Sequence, residues 1–369
     1  MKVSIITLHT IKNYGSVLQT YATQRKFEQM GVQVEFVDYC RKNALDQNLL
    51  QTCLSDSQRW NRNLLTRLVY KAAKQPSIWK MIRVFNDFVK RNIHLTPQKY
   101  LSIEELKKDP PEADVYCTGS DQVWNSYYNR GIEEPYFLEY VPKGKKCFAY
   151  AASFGKTKLD DQEKAITKHL LEKYSAISMR ESSGVQILND LGISGSIQIL
   201  DPTLILEAEE WKKLMASRQI RKKYLLIYQL NKNHEMDLYA KRLAQMKGLK
   251  LIRLSYGYHH ILKPGRLICC PEVEKWLSLF YYADHIVTDS FHGTAFSIQF
   301  KKQFSVFYPP RFSGRLESIL QLTGLKNRVV IDSNDFSLAN QFIDYRPIDQ
   351  ILAKERKKAD AFIAKALEK

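Results

Sequence analysis

Apolar and polar positions along this chain fall into two alternating periods. Residues 2–8 run apolar and read as a first strand, the polar turn Asn13-Tyr14-Gly15-Ser16 follows, and Val17, Leu18, Tyr21, Ala22 and Phe27 recur at helical spacing up to Gly31. Residues 32–39 read as the next strand. A strand, a glycine turn, a helix and a strand within about 40 residues make a βαβ unit, so the sheet is expected to be parallel. Strands at 113–118, 147–153, 176–179 and 197–200 continue the pattern, with a helix over 160–173. A second series has strands at 225–230, 249–254, 285–288 and 304–308 and helices over 234–246, 273–282 and 316–322. Helical spacing resumes in 348–367. The αβ pattern thus occurs twice, predicting two similar-sized α/β domains with parallel sheets, joined near 205–222. The rhythm breaks between 41 and 97. There Trp60, Leu64, Leu65, Leu68, Val69, Ile78, Trp79, Ile82, Phe85, Phe88 and Val89 recur at helical spacing among many Lys and Arg, which predicts two or so basic amphipathic helices inserted into the first domain.

Charge sharpens this picture. Lys plus Arg number 56 against 39 Asp plus Glu, a net charge of +17 that calls for an anionic partner: nucleic acid, a membrane surface or a phosphorylated substrate. The basic residues are spread over many helices and no nucleic-acid motif appears, so no nucleic-acid partner is expected. The start lacks the plan of a secretory signal, and no run approaches the roughly 18 apolar residues of a membrane span. A cytoplasmic protein is expected, with an anionic membrane surface as a partner at the inner face. The six cysteines form no Cys-x-x-Cys pair and no metal-ligand spacing, so neither a disulfide framework nor a metal site is expected.

Candidate chemistry gathers at strand ends. In residues 285–298 an apolar strand ends in Thr288-Asp289-Ser290, and a helix resumes around Gly293, which sets His292 at a strand-to-helix crossing. In open α/β sheets ligands sit at such crossings, and helix N–H groups there attract anions. His292 is therefore either a proton-handling group beside an anion cradle or a hydrogen-bonded structural residue on a helix capped by Asp289 and Ser290. The loop Gly119-Ser120-Asp121-Gln122-Val123-Trp124-Asn125 follows another strand, with carboxylate and amide groups suited to sugar hydroxyls and an indole face in Trp124. An Asp-stabilised turn with a buried Trp is the competing reading. Arg180, between a strand and a helix, has the fork to bind a carboxylate or phosphate, or to pair with a neighbouring Glu. The loop of Asn13 and Gly15 should face the same cleft, without the spaced glycines of the dinucleotide fingerprint.

Taken together, Asn13-Tyr14-Gly15 with Leu18-Gln19, the Gly119 to Asn125 loop, Ser153-Phe154-Gly155, the segment around Arg180, Asp201-Pro202-Thr203 and Thr288-Asp289-Ser290-Phe291-His292-Gly293 resemble the polysaccharide pyruvyl transferase family. The resemblance runs to about residue 330. It implies a GT-B-like fold of two Rossmann-like domains across a cleft: an acceptor-side domain over 1–210, a donor-side domain over 211–345, and a last helix over 346–369 that crosses back. It implies phosphoenolpyruvate as co-substrate, no further cofactor, and a sugar of a surface polysaccharide or its lipid-linked precursor as acceptor, with a pyruvate ketal as product. Through it, His292 becomes the expected catalytic group, with Asp121 second. Arg180, Ser290, Gly293, Thr294, Arg311 and Arg315 are expected at the donor, and Asn13, Gly15, Asp121, Gln122, Trp124 and Asn125 at the acceptor. A glycosyltransferase using a nucleotide sugar is the alternative on the same fold, and a non-catalytic basic binding protein a further one.

Overall fold

A computed structural model describes residues 1–310 and 314–368. The first sheet consists of β1 (Lys2–Ile6), β2 (Gln33–Tyr39), β3 (Leu95–Tyr100), β4 (Val115–Thr118), β5 (Lys146–Ala152), β6 (Tyr174–Met179) and β7 (Ile197–Gln198). All are parallel, in the order β3-β2-β1-β4-β5-β6-β7. The second comprises β8 (Tyr224–Tyr228), β9 (Lys250–Ser255), β10 (Arg266–Cys269), β11 (His285–Thr288) and β12 (Gln303–Val306), also parallel, in the order β10-β9-β8-β11-β12. Both are doubly wound sheets of the Rossmann kind, and their pairing across a cleft is the GT-B plan.

Two strand orders decide where a site can form. The winding reverses between β1 and β4 in the first sheet and between β8 and β11 in the second. Crevices open beyond the carboxyl ends of strands at such points. Each is pinned by side-chain bonds between its two loops. Thr7 donates its hydroxyl to the Ser120 carbonyl at 2.7 Å, and the Asp289 carboxylate accepts from the N–H groups of Leu230 and Asn231 at 2.7 and 2.8 Å.

The segment 41–97 differs from its sequence reading. It holds a short helix, Leu49–Ser55, and one long helix, Leu64–Asn92, that leads from β2 into β3. The long helix is thus the crossover of a βαβ unit, not an insertion. Asn63 starts it by accepting from the Thr66 N–H at 2.9 Å, with Thr66 answering in a capping box. The strand that follows was hidden because Pro97, Gln98 and Lys99 break its apolar pattern, as an edge strand tolerates.

The two halves share one core. Tyr14, at the start of the Tyr14–Gln29 helix, stacks on Trp276 with ring centroids 5.2 Å apart and packs edge-on against Phe85 at 4.9 Å. Its hydroxyl donates to the Pro271 carbonyl at 2.5 Å. The last helix, Arg346–Leu367, buries Ala359, Phe362, Ile363 and Ala366 in this same core. It reaches both halves: Arg356 donates to the Leu204 carbonyl and to Gln299 Oε1, each at 3.1 Å, while Asp360 pairs with Lys26 at 2.5 Å.

Candidate active site

The carboxyl ends of both sheets open onto one cleft of about 410 Å³. From the first half it is lined by Asn13, Ser16, Arg41, Asp121, Gln122 and Tyr128, and from the second by Leu230, Ser290, Phe291, His292 and Arg315. The loops at both switch points therefore meet here, as the sheet topology requires.

Local sequence places each group. β4 ends at Thr118, and the chain turns through Asp121 in the left-handed region at φ 78°, a conformation Asp adopts more readily than most residues. The turn is held by Asp121's own carboxylate, which accepts from the Gln122 N–H at 2.9 Å, the Ser16 hydroxyl at 2.7 Å and Arg180 Nη2 at 3.3 Å. On the second half β11 ends at Thr288, Ser290 caps the Phe291–Gln299 helix through the Gly293 N–H at 3.2 Å, and His292 lies in its first turn. Gly15 is required beside it. A Cβ there would overlap the His292 ring at Nδ1, so only glycine lets the first half of the chain come this close.

Arg180 sits beneath the cleft floor. Its side chain is 1% exposed, and three carboxylates surround it. Nη1 donates to Asp201 Oδ2 at 2.7 Å, Nη2 to Asp121 Oδ1 at 3.3 Å, and Nε lies 3.9 Å from Glu181 Oε2. Both Nη atoms are thus spent on carboxylates below the cleft, while Nε has no hydrogen-bond partner among the described residues. Burial alone would lower its pKa, but Asp201, Asp121 and Glu181 outweigh that and raise it, so the cation is secure.

Asp201 carries this cage across the cleft. It follows β7, caps the Pro202–Ile205 helix through the Thr203 N–H at 2.9 Å, and presents Oδ2 to His292 Nε2 at 3.5 Å, an ion-pair separation without a hydrogen bond. Burial would raise the Asp201 carboxyl, yet the His292 imidazole and then Arg180 hold it far below the usual carboxylate range. Asp121 shows the same balance. Burial raises it, and Arg180, His292 and Arg315 bring it below its ordinary value.

Arg315, opening the Gly314–Leu322 helix, is the second-half cation that lines the cleft. Burial and the nearby Arg180 push its pKa down to about 10, so it stays charged at neutral pH. Its Nε has no hydrogen-bond partner among the described residues. Both guanidinium groups approach the Phe291 ring, Arg180 at 5.1 Å and Arg315 at 5.4 Å from its centroid. Arg41 brings a further cation from the other wall, donating to Asn129 Oδ1 at 2.7 Å with its own Nε unpartnered.

Several expected site residues do other work. Trp124 is buried, stacked on Phe137 at 5.3 Å with its indole N–H donated to the Tyr136 carbonyl, so its face is spent in the core instead of on a sugar. Asn125 is fully buried and caps the Ser126–Asn129 helix, accepting from the Tyr127 and Tyr128 N–H groups. The Gly293 and Thr294 N–H groups are taken by Ser290, through its hydroxyl and its carbonyl, which removes them as an anion cradle. The Thr294 hydroxyl is buried without a hydrogen-bond partner among the described residues. Arg311 lies outside the described residues. Asn13 lines the cleft but accepts from the Gly15 N–H at 2.8 Å, and Gln122 Oε1 is held by Asn125 at 2.7 Å. Asp201, Glu181, Ser16, Arg41 and Phe291 were not singled out as site residues. For Asp201 the signal was present, since a carboxylate before Pro-Thr at a strand end is a cap pointed at the same rim as Arg180.

The family model described as Polysaccharide pyruvyl transferase matches residues 13–309, which span the whole of this cage. The chain belongs to the polysaccharide pyruvyl transferase family. Membership makes it a transferase of polysaccharide biosynthesis, with a sugar or polysaccharide as acceptor. No curated protein matches the chain. Among solved structures, the UDP-GlcNAc 2-epimerase of Neisseria meningitidis, bound to UDP-GlcNAc, is similar with 11% identity, 100% of this chain and 95% of that one covered, and a TM-score of 0.46. The heptosyltransferase WaaC of E. coli, solved with ADP, is similar with 11% identity, 96% and 100% coverage and a TM-score of 0.43.

Two outcomes follow for this pyruvyl transferase. Gly15→Ala should lose roughly 1–3 kcal/mol of stability through overpacking against His292, and a denaturation midpoint equal to wild type contradicts the contact. Asp121 and Asp201 have folded pKa values below their unfolded ones, so they stabilise the fold above an unfolded pKa of about 3.9 and lose that contribution as pH falls. Unfolding free energy should therefore drop below about pH 4. Asp201→Asn should flatten that drop and cost about 3 kcal/mol at pH 7 by leaving Arg180 underpaired; an unchanged pH slope argues against the cage.

Proposed function

We propose that this protein transfers a pyruvyl group from phosphoenolpyruvate to two hydroxyls of one sugar in a surface polysaccharide or its lipid-linked precursor. The product is a cyclic pyruvate ketal, and phosphate is released. What carries the reading is the convergence, in one cleft of a pyruvyl transferase, of an imidazole and a guanidinium that each keep a buried nitrogen without a hydrogen-bond partner among the described residues, His292 Nε2 and Arg315 Nε. Unpaired buried donors are costly and are retained where a ligand completes them.

The chemistry balances as follows. A proton is added to the methylene carbon of the enol phosphate, which becomes the methyl group, and the first sugar hydroxyl forms a C–O bond to the neighbouring carbon and gives up its proton. The C–O bond to phosphate then breaks, the second hydroxyl closes the ring, and its proton leaves with phosphate. His292 is the group to move these protons, because imidazole is the side chain suited to both giving and taking one near neutral pH. Arg315 holds the donor's carboxylate or phosphate by charge-assisted hydrogen bonds. Arg180 acts indirectly, fixing Asp121 and Asp201 in place. Asp121, with Ser16, Asn13 and Gln122, faces the acceptor hydroxyls, and Arg41 adds positive charge on that wall.

Incubation with phosphoenolpyruvate and candidate lipid-linked sugars, followed by phosphate release and product mass, tests the reading. Acceptor-dependent phosphate release is expected, whereas sugar transfer from a nucleotide sugar with phosphoenolpyruvate inert would replace it with the glycosyltransferase alternative. His292→Ala should lose roughly 10²-fold or more in turnover. Arg315→Met should raise the phosphoenolpyruvate concentration for half-maximal rate by about tenfold or more, the loss of one charge-assisted hydrogen bond. Full turnover in the first variant, or an unchanged donor dependence in the second, removes that residue from its role.

A further inference from the structure

The crossover helix Leu64–Asn92 is apolar on two opposite sides. Ile78, Val84, Phe85 and Phe88 are buried, with Met81 packed against the same core. Leu64, Leu65, Leu68, Val69 and Trp79 are instead exposed at 72, 71, 56, 50 and 64%. At about 100° per residue these positions, with the exposed Ala72 between them, fall on one stripe facing away from the buried side. A helix covering a sheet needs only one apolar face. None of residues 64–76 is buried, so this end of the helix stands off the body, braced by the Tyr70 hydroxyl on the Cys53 carbonyl at 3.3 Å. The turn Tyr258–Leu262 packs on the same helix through the Tyr258 N–H and Ser77 Oγ, 3.1 Å apart, and exposes Ile261 at 70% and Leu262 at 93%.

Charge identifies the occupant. Residues 57–86 contain Arg59, Arg62, Arg67, Lys71, Lys74, Lys80 and Arg83 and no Asp or Glu. A second copy of this face would set like charges against each other. A nucleic acid would meet the cations but leave the leucines and Trp79 in water. A surface of anionic headgroups over hydrocarbon satisfies both, since apolar side chains enter the headgroup boundary while Lys and Arg pair with lipid phosphates. We propose that the exposed face of the Leu64–Asn92 helix, carrying Leu64, Leu65, Leu68, Val69 and Trp79, docks on an anionic lipid bilayer. The helix also borders the cleft: Lys12, between the cleft-lining Ile11 and Asn13, donates to Asn86 Oδ1 at 2.6 Å. Docking through this face sets the cleft beside the membrane whatever group the enzyme transfers.

The test is binding of the whole chain to vesicles, with no activity readout, so its failure is separate from any failure of the pyruvyl reading. Co-sedimentation with phosphatidylglycerol-containing vesicles should exceed that with pure phosphatidylcholine by at least about tenfold, given about 1 kcal/mol per Lys or Arg near an anionic surface. It should fall with added salt. A variant combining Leu64→Ser, Leu65→Ser, Leu68→Ser and Trp79→Ala, all exposed and so compatible with folding by circular dichroism, should lose tenfold or more. Arg67→Gln with Lys71→Gln should lose roughly fivefold per charge. Binding to both vesicle types alike, binding to neither, or wild-type binding by the four-residue variant would overturn the proposal. So would light scattering that shows a wild-type dimer converted to a monomer by that variant.

Discussion

Everything at the cleft depends on one buried guanidinium. Arg180 follows β6, Asp121 follows β4 and Asp201 follows β7; Ala152 of β5 bridges the backbones at Asp121 and Arg180, and the guanidinium adds the side-chain link that joins all three. The cation ties them together at 2.7 and 3.3 Å, with Glu181 as a third, looser partner. A buried ion pair is weak evidence of stability in itself, since desolvation offsets much of the attraction, but it makes removal of one partner expensive. The cage therefore acts chiefly as a clamp on geometry. Asp201 passes that geometry on to His292, and Asp121 passes it on to Ser16.

The second half meets this clamp through close contact more than through bonding. Gly15 leaves room for the His292 ring, Tyr14 beside it is packed among Trp276, Tyr256 and Phe85, and Phe291 meets two arginines with its ring. Dense packing of this kind is bistable rather than continuously adjustable. The imidazole is held from one side by a glycine that cannot be enlarged and from the other by a carboxylate that cannot be neutralised without freeing Arg180. Among the described residues, Arg315 and Arg41 are the arginines that line the cleft, each with its Nε unpartnered.

Much of the fold was legible because buried parallel strands give short apolar runs and their crossover helices give a 3.6-residue period. The strands at both switch points, the helix after Ser290 and the place where the second αβ series begins could all be read this way. The edge strands β3 and β10 could not. β3 contains Pro97 with Gln98 and Lys99, and β10 opens on Arg266 and ends in Cys269, so neither gives a clean apolar run. At the site, loops were legible but orientations were not. Trp124 and Asn125 share a loop with Asp121, yet the left-handed turn at Asp121 sends the first two into the core and the third toward the cleft. Arg180 likewise cannot be told from a ligand-binding arginine until Asp121 and Asp201, distant in sequence, join its neighbour Glu181 around it.

The account rests centrally on protonation of an enol phosphate carbon in the cleft that holds His292. Running the reaction in deuterium oxide and weighing the ketal product tests this directly. The account predicts a pyruvylated sugar whose new methyl group carries one deuterium from solvent, formed by the wild type and not by a folded His292→Ala protein. A product without solvent deuterium, or one formed equally by the variant, would contradict it.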